Sequence, residues 1–110
     1  MNDNHAVEML SALAQSTRFS VFRMLMRQGK AGMAAGAIAR ELGVPQNTLS
    51  THLNILSNAG LIASKREGRS LIYSVCVDDA KEFIGYLVND CCNGHPEICD
   101  ISVSTPTICK

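Results

Sequence analysis

Residues 45–75 read PQNTLSTHLNILSNAGLIASKREGRSLIYSV, and this stretch decides the fold. Proline is well tolerated in the first turn of a helix and glycine commonly ends one, so a helix is predicted between Pro45 and Gly60. Two runs rich in aliphatic and β-branched residues follow, separated by a turn around Gly68, and they predict a β-hairpin. The stretch therefore predicts one helix followed directly by two antiparallel strands.

The predicted helix has two unlike faces. Leu49, Leu53 and Leu56 recur at helical spacing, so they are expected to face a core. The outward face lacks charge and is built from amide and hydroxyl side chains, which can read base edges in the major groove and hold phosphates. An ordinary polar surface is the alternative, because such groups are common on any protein. The candidate DNA-contacting residues of the helix are Gln46, Asn47, Thr48, Ser50, Thr51, His52 and Asn54.

The turn of the predicted hairpin is basic. Lys65, Arg66 and Arg69 surround Gly68, and cations at a hairpin tip can grip the phosphates of a nucleic acid. In front of the stretch, AAGAIARELG predicts a short amphipathic helix that Gly43 ends, joined to the next helix by a tight turn. A short helix, a tight turn, a polar-faced helix and a basic hairpin in this order predict a winged helix-turn-helix that binds DNA.

Three further helices complete the predicted order α-α-α-α-β-β-α, a mainly α fold with a small β-hairpin wing (α+β). The first spans about residues 5–14, and the second is capped by Ser16 or Thr17 and stops at Gly29. A loop is predicted around residues 30–33. The second helix carries an apolar stripe, which is interpreted as core filling. Its members are Phe19, Phe22, Leu25 and Met26.

The last predicted helix starts near Asp78, where Asp79 and Glu82 also lie in position to cap it. Its apolar stripe is wide for a terminal helix on so small a domain. Part of the stripe is therefore expected to pack on a second subunit, most naturally together with the first helix. A two-fold dimer would also suit a palindromic operator. The stripe consists of Ala80, Phe83, Ile84, Leu87 and Val88.

Length and charge narrow the function further. A chain of 110 residues fits one domain, and 46% hydrophobic content supports a modest core. The net charge of zero divides into +4 before Asp78, from eight Lys/Arg and four acids, and −4 from Asp78 onward. This asymmetry favours one face for a polyanion. No signal peptide is recognisable and no apolar run approaches the ~20 residues of a membrane span, so a cytoplasmic protein without a membrane partner is expected.

Catalysis is not predicted. His5, His52 and His95 fall in different elements, no Gly-rich phosphate loop is present, and no nucleophile stands beside a base. An enzyme is therefore the disfavoured class, and a DNA-binding protein the favoured one.

Three of the five cysteines gather in CCNGHPEIC, residues 91–99. An odd number of cysteines in a reducing cytosol argues against a disulfide framework. Trivalent arsenic or antimony takes three soft ligands, and Cys91, Cys92 and Cys99 can supply three thiolates if the Asn-Gly pair and the proline between them turn the chain back. The cluster is therefore a candidate metalloid site.

Other interpretations of these thiols stay open. Zinc or cadmium would take a fourth ligand, and His95 or Cys109 could complete a tetrahedron. A redox switch could instead pair one of the two adjacent cysteines with Cys99. Cys76, on a predicted strand, is interpreted as a packed apolar thiol.

Together these segments resemble the ArsR/SmtB family of small metal-responsive bacterial repressors, over nearly the whole chain. Ser50, His52 and Leu53 match the Ser-x-His-Leu core of the family's recognition helix. Residues 11–29 are similar to its opening pair of helices, and residues 66–75 to its wing. The resemblance implies a homodimer that represses an operon until an inducer releases it from operator DNA.

The resemblance also bears on the inducer. The chain lacks the Cys-x-Cys pair that the best-known arsenic sensors of the family carry near the recognition helix, and its last helix lacks the histidine of the zinc sensors. Thiols placed after the last helix resemble those of members that sense trivalent arsenic through a C-terminal cysteine cluster. Arsenite is therefore the expected inducer, with antimonite next and zinc or cadmium less favoured.

Two parts of the chain follow from this reading. Residues 1–90 are predicted to form the DNA-binding and dimerisation domain, and residues 91–110 a cysteine-containing tail with the inducer site. A sensor of zinc, cadmium or thiol redox state on the same fold is the first alternative. A constitutive DNA-binding module with an incidental cysteine tail is the second.

Overall fold

The computed structural model describes residues 1–90, with side chains described as far as Val88. The predicted order of five helices with a hairpin before the last one is confirmed, and the fold is mainly α with a β wing. The helices are α1 (Asp3–Leu13), α2 (Ser16–Gln28), α3 (Ala35–Leu42), α4 (Gln46–Asn58) and α5 (Val77–Gly85), and the strands are β1 (Met33–Ala34), β2 (Ile62–Glu67) and β3 (Ser70–Val75). A 3₁₀ turn at Gly29–Ala31 follows α2, and a π-helical turn at Tyr86–Asp90 follows α5.

The sheet has three strands rather than the two of the hairpin. β1 pairs antiparallel with β3, which also pairs with β2, so the order is β1-β3-β2. The predicted loop at residues 30–33 is therefore wrong at Met33, which lies opposite Tyr73. A two-residue strand has no alternation to detect in the sequence. Gly32 permits the pairing, because it has a φ of 69° and a Cβ there would overlap the Tyr73 carbonyl oxygen.

Most helix ends lie close to the predicted ones, but three starts differ, and the first of these is α1, which begins at Asp3 rather than at about residue 5. Gly43 ends α3 in the left-handed conformation and α4 begins directly after Pro45, as predicted. α2 is capped by Gln15, whose side chain accepts the Arg18 N–H at 2.9 Å, so the prediction of Ser16 or Thr17 as the cap is wrong. α5 starts one residue before Asp78. Its N-cap is Cys76, and the two aspartates of the first turn make no capping hydrogen bond, which corrects the predicted cap.

One core joins all five helices to the hairpin. Leu49, Leu53 and Leu56 of α4 are fully buried, as predicted. Phe22 and Leu25 of α2 are buried as well. The core continues through Met9, Val21, Ile38, Leu61, Ile62, Tyr73, Val75, Ala80 and Phe83.

The apolar stripe of α2 is only partly core. Phe19 and Met26 are 49% and 45% exposed, while Val21, which the predicted stripe left out, is completely buried. The neighbouring elements cover a narrower arc of α2 than its apolar residues occupy. Arg23 lies 5.8 Å from the centre of the Phe19 ring, within cation–π range, and shields part of that exposed surface.

Candidate nucleic-acid interface

The outer face of α4 is polar and open to solvent. Four of its side chains make no hydrogen bond with any other described residue, so their donors and acceptors are free for a ligand. They belong to Gln46, Thr48, Thr51 and Asn54, all exposed. Two further exposed side chains bond locally: Ser50 donates to the Gln46 carbonyl at 2.9 Å, and Asn47 accepts the Thr48 N–H at 3.0 Å.

His52 lies apart from that outer face. It is half-buried, and its Nδ1 is 3.2 Å from Arg18 Nη1. A guanidinium only donates, so Nδ1 accepts and a neutral ring carries its proton on Nε2. Arg18 also donates through Nε to the Ala12 carbonyl, so this pair connects α4 to the end of α1. The structure therefore places six of the seven α4 candidates on the exposed face and gives His52 a contact of its own. DNA contact by all seven stays a prediction.

The wing presents its cations without fixed partners. Arg66 and Arg69 are exposed and form no ion pair within residues 1–90, and Lys65 is 4.0 Å from Glu67, at the limit of a salt bridge. The strands run closer to the tip than the sequence indicated, so Lys65 and Arg66 lie on β2 and only Arg69 lies in the turn. Gly68, with a φ of 62°, supplies the positive φ that this tight turn needs.

A cleft of about 450 Å³ separates the wing from the start of the helix-turn-helix. Arg40 lines it together with Arg66 and Arg69, although Arg40 was not among the DNA-contacting residues predicted from the sequence. Arg40 lies about 25 residues from the wing in sequence, and the pairing of β1 with β3 brings the start of α3 beside the wing. The rest of the lining is Ala34, Ala35, Gly36, Ala37, Gln46, Ser70 and Leu71.

A second region of interest is apolar and involves the two terminal helices. Val7 and Leu10 of α1 are 61% and 45% exposed, and Ile84 of α5 and Leu87 just after it are 46% and 37% exposed. The ends of the two helices are tied by two polar contacts: the Met1 amino group lies 2.7 Å from a Glu82 carboxylate oxygen, and the Tyr86 hydroxyl donates to Asp3.

The Glu82 contact also affects its ionisation. The hydrogen bond from the amino terminus, and then the positive charge of that group, lower the pKa of Glu82 below its ordinary value of 4.5. Glu82 is exposed, so solvent screens the pair and the contact is a weak tie between the two helices.

The candidate inducer site lies outside the described residues. Cys91, Cys92 and Cys99, with His95 and Cys109, all follow residue 90. Cys76 is described and is half-buried at the start of α5. Burial, followed by the negative charge of Asp79, raises the pKa of the Cys76 thiol, which disfavours the thiolate that metals require. Residues 1–90 contain no cluster of three potential metal ligands.

Comparison with known proteins identifies the class. The helix-turn-helix domain family matches residues 13–65. MJ1325 of Methanocaldococcus jannaschii, an uncharacterised HTH-type transcriptional regulator, is 37% identical over 79 residues, which cover 72% of this chain and 86% of that protein. An ArsR-like transcriptional regulator from Rhodococcus sp. RHA1 superposes with a TM-score of 0.66 at 26% identity, over 76% of each chain. The homodimeric winged helix-turn-helix DNA-binding domain of Mb0332 from Mycobacterium bovis gives 0.65 at 27% identity, over 88% of this chain and 92% of that one.

The chain therefore belongs to the HTH-type transcriptional regulators, and it has the winged helix-turn-helix fold of its ArsR-like structural neighbours. These are DNA-binding proteins and not enzymes, which confirms the class that the sequence predicted. None of the helices within residues 1–90 is long and apolar enough to cross a membrane.

Proposed function

We propose that this protein is a homodimeric repressor that binds operator DNA in the cytoplasm and leaves it when trivalent arsenic binds. The observation that carries the DNA-binding part is the outer face of α4, exposed and uncharged, beside a basic wing. α4 would lie in the major groove, where its amides and hydroxyls can contact base edges. The wing arginines would contact the backbone, which fixes the register of the helix on the duplex.

The exposed apolar residues of the terminal helices support a dimer. Val7, Leu10, Ile84 and Leu87 are large side chains that one copy of the chain leaves in contact with water. A second copy, related by a two-fold axis, could cover the same residues on both subunits at once. The dimer would then present two α4 helices to two half-sites of a palindromic operator.

The proposed inducer rests on the thiol chemistry of the tail. Cys91, Cys92 and Cys99 offer three soft ligands within nine residues, which suits the pyramidal coordination of arsenite or antimonite. The raised pKa of Cys76 makes it a poor competitor for the same ion. A zinc or cadmium site completed by His95 or Cys109, and a disulfide switch, are the alternative inducer chemistries.

Release follows from thermodynamic linkage. The first proposed ligand, Cys91, directly follows the π-helical turn that ends at Asp90. Coordination would therefore act on the turn that continues α5, the helix proposed to form part of the dimer interface. If the ligand binds the DNA-free form more tightly, it weakens DNA binding. DNA weakens ligand binding by the same factor, and the coupling free energy is typically about 1–3 kcal/mol. A small change in the spacing of the two α4 helices would misplace several phosphate contacts together.

A fluorescence anisotropy titration tests the proposal. The reduced protein is bound to DNA from the region upstream of its own gene, and arsenite or zinc is then added. We expect arsenite to release the duplex. Release by zinc alone would favour a tetrahedral site, release by an oxidant alone would favour the disulfide switch, and no binding to DNA would overturn the proposed function.

Serine variants assign the thiols. The triple variant Cys91→Ser, Cys92→Ser, Cys99→Ser should bind the same duplex and ignore arsenite. Cys76→Ser is the matched control, since it removes a thiol from the described domain, and it should respond as the natural protein does. A triple variant that still leaves DNA on addition of arsenite would show that these three thiols are not the site.

A further inference from the structure

The cleft between the wing and α3 gathers positive charge that no described acid neutralises. Arg40, Arg66 and Arg69 all line it, and none of the three forms an ion pair within residues 1–90. Glu41 and Glu67, the acids adjacent in sequence to Arg40 and Arg66, do not line the cleft. Three unpaired guanidinium groups around one open cavity form a strong site for an oxyanion, since each can donate two parallel hydrogen bonds.

The floor of the cleft is kept open by glycine. A Cβ at Gly36 would lie 3.2 Å from Gln46 Nε2 and 3.6 Å from Arg40 Nη1, so both side chains extend over the space above Gly36. The amide and guanidinium nitrogens beside this space are hydrogen-bond donors. In addition, the first turn of α3 lacks a side-chain cap, and its free N–H groups add to the positive potential.

The position of the cleft indicates which anion fits. Gln46 is the first residue of α4, and Arg66 and Arg69 belong to the wing, so the cleft lies between the two elements proposed to bind DNA. We propose that the cleft holds one phosphate of the operator backbone, with Arg40 and the wing arginines contacting the same group. This inference rests on the proposed function and adds Arg40 and Gly36 to its binding surface. Through the shared phosphate, the wing and the helix-turn-helix are held in one register on the duplex.

Single-phosphate substitution tests whether these arginines share a phosphate. Operator duplexes are made that each carry one neutral methylphosphonate, and anisotropy titrations of the full chain in reducing buffer give the dissociation constant for each. With the natural protein, we expect one position per half-site to weaken binding about tenfold, the effect of losing a charge-assisted hydrogen bond. Arg40→Gln removes the arginine from both subunits and should weaken binding to the unmodified duplex by about tenfold for each half-site.

The decisive result is the combination of the two changes. With Arg40→Gln, the same methylphosphonate should weaken binding clearly less than it does with the natural protein, because only the wing arginines still contact that phosphate. Arg66→Gln should reduce the effect at that same position. Arg27→Gln is the matched control, because Arg27 is an exposed arginine in the last turn of α2 and does not line the cleft. Its effect should be small and additive with every substituted position.

Gly36→Ala provides a second variant that does not remove charge. The added methyl group would sit against Gln46 and Arg40 at the floor of the cleft, and alanine is a better helix former than glycine. We expect the melting temperature to hold or rise while affinity for the unmodified duplex falls several-fold. Unchanged affinity together with unchanged stability would contradict a phosphate seated at this floor.

The outcomes separate this inference from the proposed function. Two results would overturn the shared phosphate and leave the proposed repressor function standing. One is specific binding that Arg40→Gln leaves unchanged, and the other is effects of Arg40 and Arg66 that map to different phosphates. A third result would be that inorganic phosphate binds at Arg40 while Arg40→Gln binds the duplex normally. That result would assign the cleft to a free anion and would also overturn the shared phosphate. Absence of DNA binding by the natural protein would overturn the proposed function itself.

Discussion

Helices α4 and α5 share a plan on their inner faces and differ on their outer ones. α4 buries three leucines and α5 buries Ala80 and Phe83, so each is held by the same core. Beyond the core, α4 exposes uncharged amides and hydroxyls and one aliphatic residue, Ile55. In contrast, α5 and the turn after it expose the aliphatic Ile84 and Leu87 beside the charged Lys81 and Glu82. An outer face of hydrogen-bonding groups suits a hydrated polar partner, and an outer face of aliphatic groups suits a partner that removes it from water.

The largest expected effect lies on the inner face of α4. Leu53→Ala removes a side chain that is 1% exposed, and the cavity left behind should lower the free energy of unfolding by about 2–5 kcal/mol. Urea denaturation followed by circular dichroism measures it. Asn54→Ala, the next residue and exposed, should change that free energy by less than about 0.5 kcal/mol. Similar losses for both variants would contradict the division of α4 into a core face and a ligand face.

The outer face of α5 should matter to assembly rather than to folding. Ile84→Glu places a charge on the exposed apolar surface, so we expect sedimentation equilibrium to show a monomer with a folded circular dichroism spectrum. Loss of the second half-site should weaken operator binding by about a hundredfold. Lys81→Gln, exposed on the same helix, makes the same change in net charge and should leave the dimer intact. A dimeric Ile84→Glu variant would place the subunit interface elsewhere.

The two helices illustrate what can be predicted from sequence. The period of the leucines in α4, with Pro45 and Gly60 at its ends, predicts the helix and its inner face, because these signals are local. α5 shows where prediction from the sequence stops. Its apolar stripe predicts the helix, but the stripe does not indicate which of its residues are buried within one chain and which stay exposed. The prediction that Phe19 and Met26 fill the core is wrong for the same reason, because burial depends on how wide an arc of the helix the neighbouring elements cover.

Features that depend on contacts between distant parts of the chain could not be predicted from the sequence. β1 is two residues long, and its pairing with β3 brings Arg40 to the wing arginines across about 25 residues of chain. His52 belongs to the family's Ser-x-His-Leu pattern, yet only the structure shows that it contacts Arg18. The cysteine cluster is a different case: three thiols in nine residues predict soft-metal binding, and this stays a prediction because all three lie outside residues 1–90.

The wing should contribute affinity without specificity. Lys65→Gln removes one exposed cation from β2 of each subunit. For a dimer, the magnitude of the slope of log affinity against log salt should therefore fall by about 1.8 on operator and random DNA alike. Titrations over a range of salt concentrations measure both slopes. Lys81→Gln removes the same charge from α5, outside the proposed DNA-binding surface, and should leave both slopes unchanged. A loss confined to the operator would show that Lys65 reads sequence.

The smallest expected effect concerns the tie between α1 and α5. Because the pKa of Glu82 is lowered in the folded state, its contribution to stability is present above pH 4.5 and is lost as the pH falls below that value. Glu82→Gln should therefore lower the melting temperature slightly at pH 6, by an amount that shrinks as the pH falls below 4.5. Calorimetry at several pH values measures this. A difference that grows as the pH falls would have the wrong sign and would exclude the contact with the amino terminus.

The most direct test of the exposed face of α4 is the preference of the protein for its operator. Dissociation constants are measured at one fixed salt concentration for the upstream duplex and for a shuffled duplex of the same composition. We expect the natural protein to prefer the operator by about 10³ or more, and the variant Thr51→Ala, Asn54→Ala to lose most of that preference while binding the shuffled duplex as before. A variant that keeps the full preference would contradict base recognition by α4.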